Sequence, residues 1–156
     1  MTKHYTLDEI HHFMRSISIM SAAMVAGTKP VLTTLLFALD HDFTLYFACH
    51  ADIHKARALM NNPAMSISVW EHEKMLVQAA GTATKLVSES EIDRSMDLLV
   101  DAASKIPHFW PPILQIRNDS ETLLFALKLE WLRALDLSSK TITVKEPPFS
   151  EYTFGV

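Results

Sequence analysis

The sequence predicts an α+β domain built on a six-stranded antiparallel β-barrel with peripheral helices. Six apolar or alternating segments have the length of strands, and most of them are separated by short polar turns. Such spacing suits antiparallel hairpins, because parallel strands need long crossover connections. Two other segments carry helix-start patterns in which a serine or threonine is followed by glutamate three residues later. The combination favours helices arranged around an antiparallel barrel.

The first helix begins after Thr6 and extends to about Arg15. Thr6 can cap this helix, and Glu9 can reach back to it in a capping box. Turn residues at Gly27–Pro30 and Asp40–Asp42 separate the apolar runs that follow. The three strands predicted here are Ile17–Val25, Val31–Leu39 and Phe43–Ala48.

The middle of the chain alternates short elements with polar turns. A brief helix is predicted over Ile53–Met60, and Asn61-Asn62-Pro63 ends it. Strands follow at Met65–Trp70 and Met75–Val87, and Gly81 marks a bend or bulge in the second of them.

A longer amphipathic helix comes next. The stretch Ser88–Glu91 predicts another capping box. Apolar residues at alternating steps of four and three form one face of this helix, namely Ile92, Met96, Leu99, Ala103 and Ile106. Pro107 ends the helix, and the segment Phe109–Ile113 is irregular and apolar.

The last strong strand signal is Leu123–Trp131, where every odd position is apolar. A period of two indicates a strand with one buried and one exposed face. We expect this strand to continue toward Leu137, and Thr141–Val144 to form a last short strand.

Composition narrows the class of protein. A length of 156 residues with 49% apolar residues predicts one domain over residues 1–156, with its core at about 17–138. The net charge of −4 and the scattered basic residues argue against nucleic acid as a partner. The single cysteine suits a reducing compartment, and the first residues lack the pattern of a signal peptide. With no apolar run of membrane-spanning length, we expect a cytoplasmic protein without a membrane partner.

A basic turn follows the third predicted strand. Leu45–Ala48 runs into a polar turn that includes His50, and a helix start that carries Lys55 and Arg57 comes directly after it. The first amides of a helix lack intrahelical partners and favour negative charge, so this junction can hold an anion. His54 adds a donor that responds to pH. A solvated helix start is the alternative, and the residues alone do not decide between the two.

The order of elements resembles the pyridoxamine 5'-phosphate oxidase-like family of flavin-binding split β-barrels. The similar stretches are "LYFA", "KARAL", "NNPAMSISVW" and "VQAAGTATKL", within a resemblance that covers Ile17–Ser138. Members of this family are typically homodimers that bind FMN, or sometimes a deazaflavin or haem, in a groove between subunits. The resemblance therefore implies a split barrel, an FMN cofactor and a homodimer.

The phosphate contacts of the family carry over in part, at the His50–Lys55 turn. The family has a hydroxyl residue just after the third strand, then a serine and an arginine before a lysine. Here Cys49, Ile53 and His54 occupy the first three of these places, and Lys55 matches the lysine. A thiol is a weaker donor than a hydroxyl. Because each charge-assisted bond contributes about 1.5–3 kcal/mol, the missing donors predict a weaker phosphate site.

Further ligand contacts are expected on two strands and one apolar segment. The family lays backbone groups of Val31–Leu36 along the flavin ring, so Thr33 and Thr34 are candidate contacts. Gln78, among small and apolar residues, can reach a ring edge, and Trp110 can cover a ligand. Each of these side chains also fits an ordinary structural role: a strand hydroxyl facing water, a polar position on a half-exposed strand, or a core or interface aromatic.

The candidate chemistry comes from a cofactor and not from a recognisable catalytic motif. The lone Cys49 is expected to be a small buried hydrophobe, because no second thiol exists to resolve it. The eight histidines show no metal-binding spacing, and the zinc-protease, nucleophile-elbow and P-loop patterns do not occur. We therefore predict no metal site, and no catalytic acid or base is assigned.

The sequence and the resemblance together predict an FMN-dependent oxidoreductase of unassigned substrate. After Lys128 the only cations are Arg133, Lys140 and Lys145, so there is no cluster to hold a second phosphate. This argues against oxidation of pyridoxamine 5'-phosphate itself. Two alternatives stay open: a non-enzymatic flavin or haem carrier or sensor on the same fold, and a structural dimer with an empty groove.

Overall fold

The computed structural model describes residues 3–51, 54–106, 121–138 and 149–155. These residues form three helices and eight strands, most of them where the sequence predicts elements. In chain order they are α1 (Leu7–Ile17), β1 (Ile19–Ala26), β2 (Lys29–Leu36), β3 (Ala38–Leu39), β4 (Thr44–His50), α2 (His54–Asn61), β5 (Ala64–Glu71), β6 (Met75–Lys85), α3 (Glu89–Ser104), β7 (Thr122–Asp136) and β8 (Phe149–Thr153).

The strands form one antiparallel sheet that curls into a split barrel. Its order is β2-β1-β5-β6-β7-β4-β3, and β8 pairs with β7 beside β4. The two edge strands, β2 and β3, are consecutive in the chain, so the same run of residues borders the sheet on both sides. The predicted α+β split-barrel class is therefore confirmed. The strand count differs from six because one predicted strand is divided and β8 was missed.

The divided strand is the predicted Val31–Leu39. Its first part, β2, pairs with β1, whereas Ala38 and Leu39 pair with β4. Phe37, between them, is almost fully buried and donates its backbone N–H to the carbonyl of Ser18 at 3.0 Å. Residues 35–39 are all buried and apolar, so no change of hydrophobic period marks the point at which the chain changes partner.

Both predicted capping boxes can be checked. At α1, the Glu9 amide donates to Thr6 Oγ1 at 3.2 Å and the Thr6 amide donates to Glu9 Oε2 at 2.8 Å, which confirms the first. The second is wrong, because Ser88 makes no side-chain cap and its hydroxyl lies 3.0 Å from that of Ser90. The helix forms regardless, since Met96 and Leu99 bury its apolar face as predicted.

The core has two parts. Inside the barrel, Phe47 and Phe125 stack with ring centroids 5.5 Å apart among fully buried Leu45, Leu127 and Leu132. Between α3 and the outside of the barrel lies a second cluster, which consists of Leu36, Ala38, Met96, Leu99, Ala102 and Leu124. Helix α3 therefore covers one side of the barrel, near β3 and β4.

A bulge interrupts the pairing of β6 and β7, as Gly81 predicted. Ala80 pairs with Trp131 but Gly81 pairs with Leu129, so Glu130 is an extra residue on β7. Before the bulge Leu127 and Leu129 are buried, and after it the buried positions are even-numbered. The apolar odd-numbered pattern therefore ends with Trp131 on the outside of the barrel.

Strand β8 was not predicted, and it is tied to the start of the chain. The Tyr5 amide donates to Ser150 Oγ at 2.8 Å, and the Tyr5 hydroxyl donates to Asp136 Oδ1 at 3.0 Å. Burial, together with the Asp136 carboxylate, raises the pKa of Tyr5 to about 12. Pro107, Phe109–Ile113 and the predicted strand Thr141–Val144 lie outside the described residues. None of the described helices is long and apolar enough to cross a membrane.

The close approach at the bulge makes Gly81 intolerant of any side chain. A Cβ at Gly81 would lie 2.0 Å from the backbone oxygen of Lys128, a clash that only a backbone shift relieves. Gly81→Ala should lower the free energy of unfolding by about 3 kcal/mol or more in urea denaturation. Gly155→Ala is the matched control, because a Cβ there meets nothing within 4 Å. A Gly81→Ala variant as stable as wild type would show that the approach is not as tight as described.

Candidate functional site

The barrel opens where β2 and β4 part. Strand β2 has a single strand partner, β1, within the described sheet, and β4 pairs with β3 only at Leu45 and Tyr46. Helix α2 follows β4 and packs against β1, β6 and β4. We call the gap between β2 and residues 47–50 of β4, bordered by α2, the barrel opening. It brings together the predicted basic turn and the edge strand predicted to contact a ligand.

Lys55 extends from α2 to the edge strand. Its half-buried side chain places Nζ 3.4 Å from Thr33 Oγ1, at the long end of hydrogen-bond range. Thr33 faces the barrel interior, because its cross-strand partner Ala22 is fully buried. An ammonium has three donors, so Lys55 can contact Thr33 and still donate to an anion in the opening.

Cys49 lies on β4, near Lys55 of α2. Burial raises the pKa of this thiol to about 11, although the charge of Lys55 acts in the opposite direction. The thiol is therefore protonated at physiological pH and is a poor nucleophile. The protein has no second cysteine. Cys49 accordingly contributes small, weakly polar volume beside the opening, as the sequence predicted.

The two histidines of the predicted turn differ in their surroundings. At the end of β4, His50 Nε2 lies 3.1 Å from Glu121 Oε2, and the Ala51 amide donates to the Glu121 carbonyl at 2.7 Å. His54 is exposed as the first residue of α2. Glu121 brings a negative charge to the same turn, which works against anion binding near His50. Lys55 therefore remains the best-placed cation at the opening.

Thr34 and Gln78 lie on the opposite face of the sheet from Thr33. The burial pattern of β6 alternates, with Val77 and Ala79 inside and Gln78 facing outward. Cross-strand partners share a face, and the registers align a polar row across the outside of the barrel: Thr34, Ser21, Ser68, Gln78 and Arg133. We call these five residues the outer row. Its members Thr34 and Gln78 are thus separated from Lys55 and Thr33 within one protomer.

Arg133 lies at the end of the outer row, a position that its place in the sequence does not reveal. Its Nε donates to Gln78 Oε1 at 2.9 Å, and its guanidinium carbon lies 4.4 Å from the centroid of the Phe149 ring. The guanidinium is thereby held in place on the outer face. No local signal predicts this, because the bulge at Glu130 reverses which residues of β7 face outward.

A second polar cluster lies away from the opening, around the buried Asp40. Burial would raise the pKa of this carboxyl, but hydrogen bonds from His41 and Arg94 outweigh burial and hold it below its usual range. Tyr46 and the His11 ring, whose Nε2 lies 2.7 Å from the Asp40 carbonyl oxygen, complete the cluster. It connects α1 and α3 to the β3–β4 hairpin.

Two remaining predictions concern metals and Trp110. Within residues 3–51, 54–106, 121–138 and 149–155, no group of three or more His, Cys, Asp or Glu side chains is placed to hold a metal ion. Trp110 lies outside the described residues. The predicted cofactor roles of Lys55, His54, His50, Cys49, Thr33, Thr34, Gln78 and Trp110 therefore stay predictions, now with positions for seven of them.

Comparison with known proteins gives one family match. Residues 6–136 match the family model described as pyridoxamine 5'-phosphate oxidase. No curated protein matches the chain.

Several solved structures share the fold at low sequence identity. Campylobacter jejuni ChuZ is 16% identical with a TM-score of 0.72, and the match covers 86% of this chain but only 58% of ChuZ. HutZ, the haem storage protein from Vibrio cholerae, is 19% identical with a TM-score of 0.66 over 80% of this chain and 89% of HutZ. An FAD-binding protein from Mesorhizobium loti is 15% identical with a TM-score of 0.64 over 85% of this chain and 93% of that one.

The environment of Cys49 predicts its reactivity. Because burial raises the pKa of Cys49 to about 11, the thiolate population at pH 8 should be about 100-fold lower than for an ordinary cysteine. Alkylation by iodoacetamide, followed by mass spectrometry, should be at least that much slower in native than in urea-unfolded protein. The native rate should rise about tenfold per pH unit up to pH 10. Equal native and unfolded rates at pH 8 would refute the burial of this thiol.

Proposed function

This chain belongs to the pyridoxamine 5'-phosphate oxidase family, and we propose that it is an FMN-binding flavoprotein and an oxidoreductase of unassigned substrate. The observation that carries the proposal is the position of Lys55. Its ammonium stands at the barrel opening, beside the edge strand β2. A cation next to a strand edge that no other described strand covers suits a ligand with a phosphate and a flat polar ring.

The phosphate end of FMN would be bound by Lys55, with His54 at the first residue of α2 as a second donor. A lysine ammonium is a strong point-charge partner for phosphate. Cys49 adds little, because its protonated thiol is a weak donor. With the Glu121 carboxylate also close to His50, the residues present fit a phosphate through one strong contact rather than several.

The ring end would lie along β2. An edge strand presents alternate backbone N–H and C=O groups to whatever lies beside it. Those groups can pair with the carbonyl and N–H groups of a flavin ring regardless of the side chains, and Thr33 can add a hydroxyl from the inner face. When bound, the flavin supplies the hydride or electron transfer. The chain's own contribution is to bind the flavin and to orient it.

We propose that the protein is a homodimer that uses the outer face of the sheet. That face carries three large apolar side chains with substantial exposure: Leu32 at 75%, Trp70 at 58% and Trp131 at 39%. Leu32 and Trp131 lie at the two ends of one cross-strand row, and Trp70 lies on the other side of the outer row. Exposed tryptophan beside arginine is typical of interaction sites, where these two residues are enriched. A two-fold axis is the commonest way to cover such a face with a second copy.

A haem carrier or sensor without enzymatic activity is the second candidate. It is favoured by the exposed imidazole of His54 beside the opening, since neutral imidazole is a common haem ligand. The likeness to the Vibrio cholerae haem storage protein is consistent with this candidate but shows only a shared fold. The two candidates need different contacts. An FMN protein needs the phosphate to bind Lys55, whereas a haem protein needs the iron to bind His54.

Titration of the protein with FMN and with riboflavin tests the proposal. Lys55→Ala should weaken FMN binding by about 1.5–3 kcal/mol, which is roughly 10- to 150-fold in Kd, because it removes a charged partner of the phosphate. Riboflavin, which has no phosphate, should bind the variant as it binds wild type. Flavin fluorescence reports both affinities.

Arg57→Ala is the control for this experiment, since Arg57 is an exposed cation on the same helix. It should change the Kd for FMN by less than about threefold, as expected for an exposed charge that does not contact the ligand. Absence of saturable FMN binding to wild type at high micromolar concentration would contradict the proposed function. If riboflavin binds wild type as tightly as FMN, the proposed contact between Lys55 and the phosphate is wrong, but flavin binding itself is not contradicted.

A further inference from the structure

A crevice lies between the ends of α1 and α3, beside the edge strand β3. Its walls include Arg15 and Ser18 at the end of α1, Asp101 and Lys105 at the end of α3, and Leu39 of β3. The innermost part encloses about 20 Å³, which is room for one water-sized atom. The crevice shares no described residue with the barrel opening. We call it the interhelix crevice.

Leu39 presents a backbone donor and a backbone acceptor to this crevice. The Phe37 N–H donates to the carbonyl of Ser18, which lines the crevice, so this edge of β3 faces the crevice. The Asp40 N–H donates in the other direction, to the Thr44 carbonyl at 2.9 Å. Because the backbone groups of successive strand residues point to opposite sides, the N–H and C=O of Leu39 point away from β4 and into the crevice.

These two groups of Leu39 have no hydrogen-bond partner in the described part of the chain. Leu39 is nevertheless buried, with 6% of its surface exposed. Buried backbone groups are nearly always paired, whether with protein, with water or with a ligand. The space beside Leu39 therefore suits a molecule that can both accept and donate a hydrogen bond.

Arg15 brings a positive charge to the same space. Hydroxyl groups satisfy carbonyls at the end of α1: Ser16 Oγ donates to the Phe13 carbonyl at 2.6 Å, and Ser18 Oγ donates to the Arg15 carbonyl at 3.1 Å. Among the described residues, no carboxylate forms an ion pair with the Arg15 guanidinium. The donors of this guanidinium are therefore available to a ligand.

The wall formed by α3 adds a second cation. Lys105 Nζ lies 3.4 Å from Asp101 Oδ2, and both side chains are about half exposed. Solvent screens such a pair, so the carboxylate neutralises the lysine only in part. With two cations and one carboxylate among its named residues, the crevice favours an anion.

We propose that the interhelix crevice binds a small carboxylate that carries a hydroxyl or amino group on its α-carbon. In an antiparallel sheet, a partner residue pairs with both backbone groups of the residue opposite, through a C=O and an N–H on either side of one carbon. An α-hydroxy or α-amino carboxylate has the same spacing, so it can accept from the Leu39 N–H and donate to the Leu39 C=O. The second carboxylate oxygen would accept from Arg15, whose planar fork matches a carboxylate.

The narrow inner space favours a carboxylate over a phosphate. It admits one oxygen atom beside Leu39, whereas a phosphate group brings a tetrahedron of oxygens. A bound carboxylate would connect α1, the edge of β3 and α3. This inference goes beyond the proposed function and does not depend on it, because the crevice and the barrel opening are made of different residues.

Titration of isotope-labelled protein with glycolate, followed by NMR at constant pH and ionic strength, tests the site. The backbone amide signal of Leu39 should shift saturably, with a Kd on the order of 1 mM as suits so small a ligand. Acetate, which lacks the donor on the α-carbon, should bind at least about threefold more weakly. Glycine is titrated in parallel, and the tighter ligand of glycolate and glycine shows whether the donor is a hydroxyl or an ammonium group.

Three variants of exposed residues test the charges of the crevice. Arg15→Gln should weaken glycolate binding at least about tenfold, because it removes the charged partner of the carboxylate. Asp101→Asn should strengthen binding about two- to threefold, because it releases Lys105 from its ion pair. Arg57→Gln, which removes a cation of α2, is the matched control and should bind glycolate as wild type does.

Several results would overturn this inference. They are a Leu39 signal that shifts equally with sodium chloride, or that does not saturate below about 100 mM glycolate, and an Arg15→Gln variant that binds as wild type. Acetate or phosphate that binds as tightly as glycolate would also overturn it. All titrations are made without flavin, so a failure of the proposed FMN site leaves this test unaffected.

Discussion

The barrel depends on the chain changing partner at Phe37. One run of residues first pairs with β1 and then, beyond this buried ring, with β4, so it borders the sheet on both sides. The Phe37 N–H is satisfied by the Ser18 carbonyl rather than by a neighbouring strand, which removes the cost of an unpaired buried donor at the crossing. Because the two halves diverge from this point, β2 pairs with β1 alone among the described strands, and α2 and Lys55 can approach its other edge. The candidate site is therefore a consequence of how the barrel closes.

A second constraint acts on the opposite face. The extra residue Glu130 shifts the alternation of β7, so that Leu132 and Ala134 fill the core while Trp131 and Arg133 face outward. Gly81 allows this because its lack of a Cβ lets the two backbones approach closely. One bulge thus accounts both for the integrity of the core and for the arginine and tryptophan on the surface where a second copy is proposed to bind.

Features that depend on residues close together in the sequence could be predicted, whereas features that depend on distant residues could not. The α1 cap, the α3 face and the position of Gly81 rest on residues a few positions apart, and all were predictable. The break at Phe37 and the pairing of β8 depend on partners distant in sequence, and neither has a local signal. Lys55 could be identified from the sequence because a cation next to a helix start favours anion binding. Arg133 could not, because the residues that hold its guanidinium in place, Gln78 and Phe149, lie 55 and 16 positions away in the sequence.

The proposed flavin site at the barrel opening can be tested without any variant. The most direct measurement is the absorption spectrum of the protein after incubation with equal amounts of FMN and haem, followed by removal of unbound ligand. We expect a flavin spectrum, perturbed from that of free FMN by the strand edge, at close to one FMN per chain. A haem spectrum without flavin would favour the carrier or sensor, and a spectrum with neither ligand would contradict a flavin site at the opening.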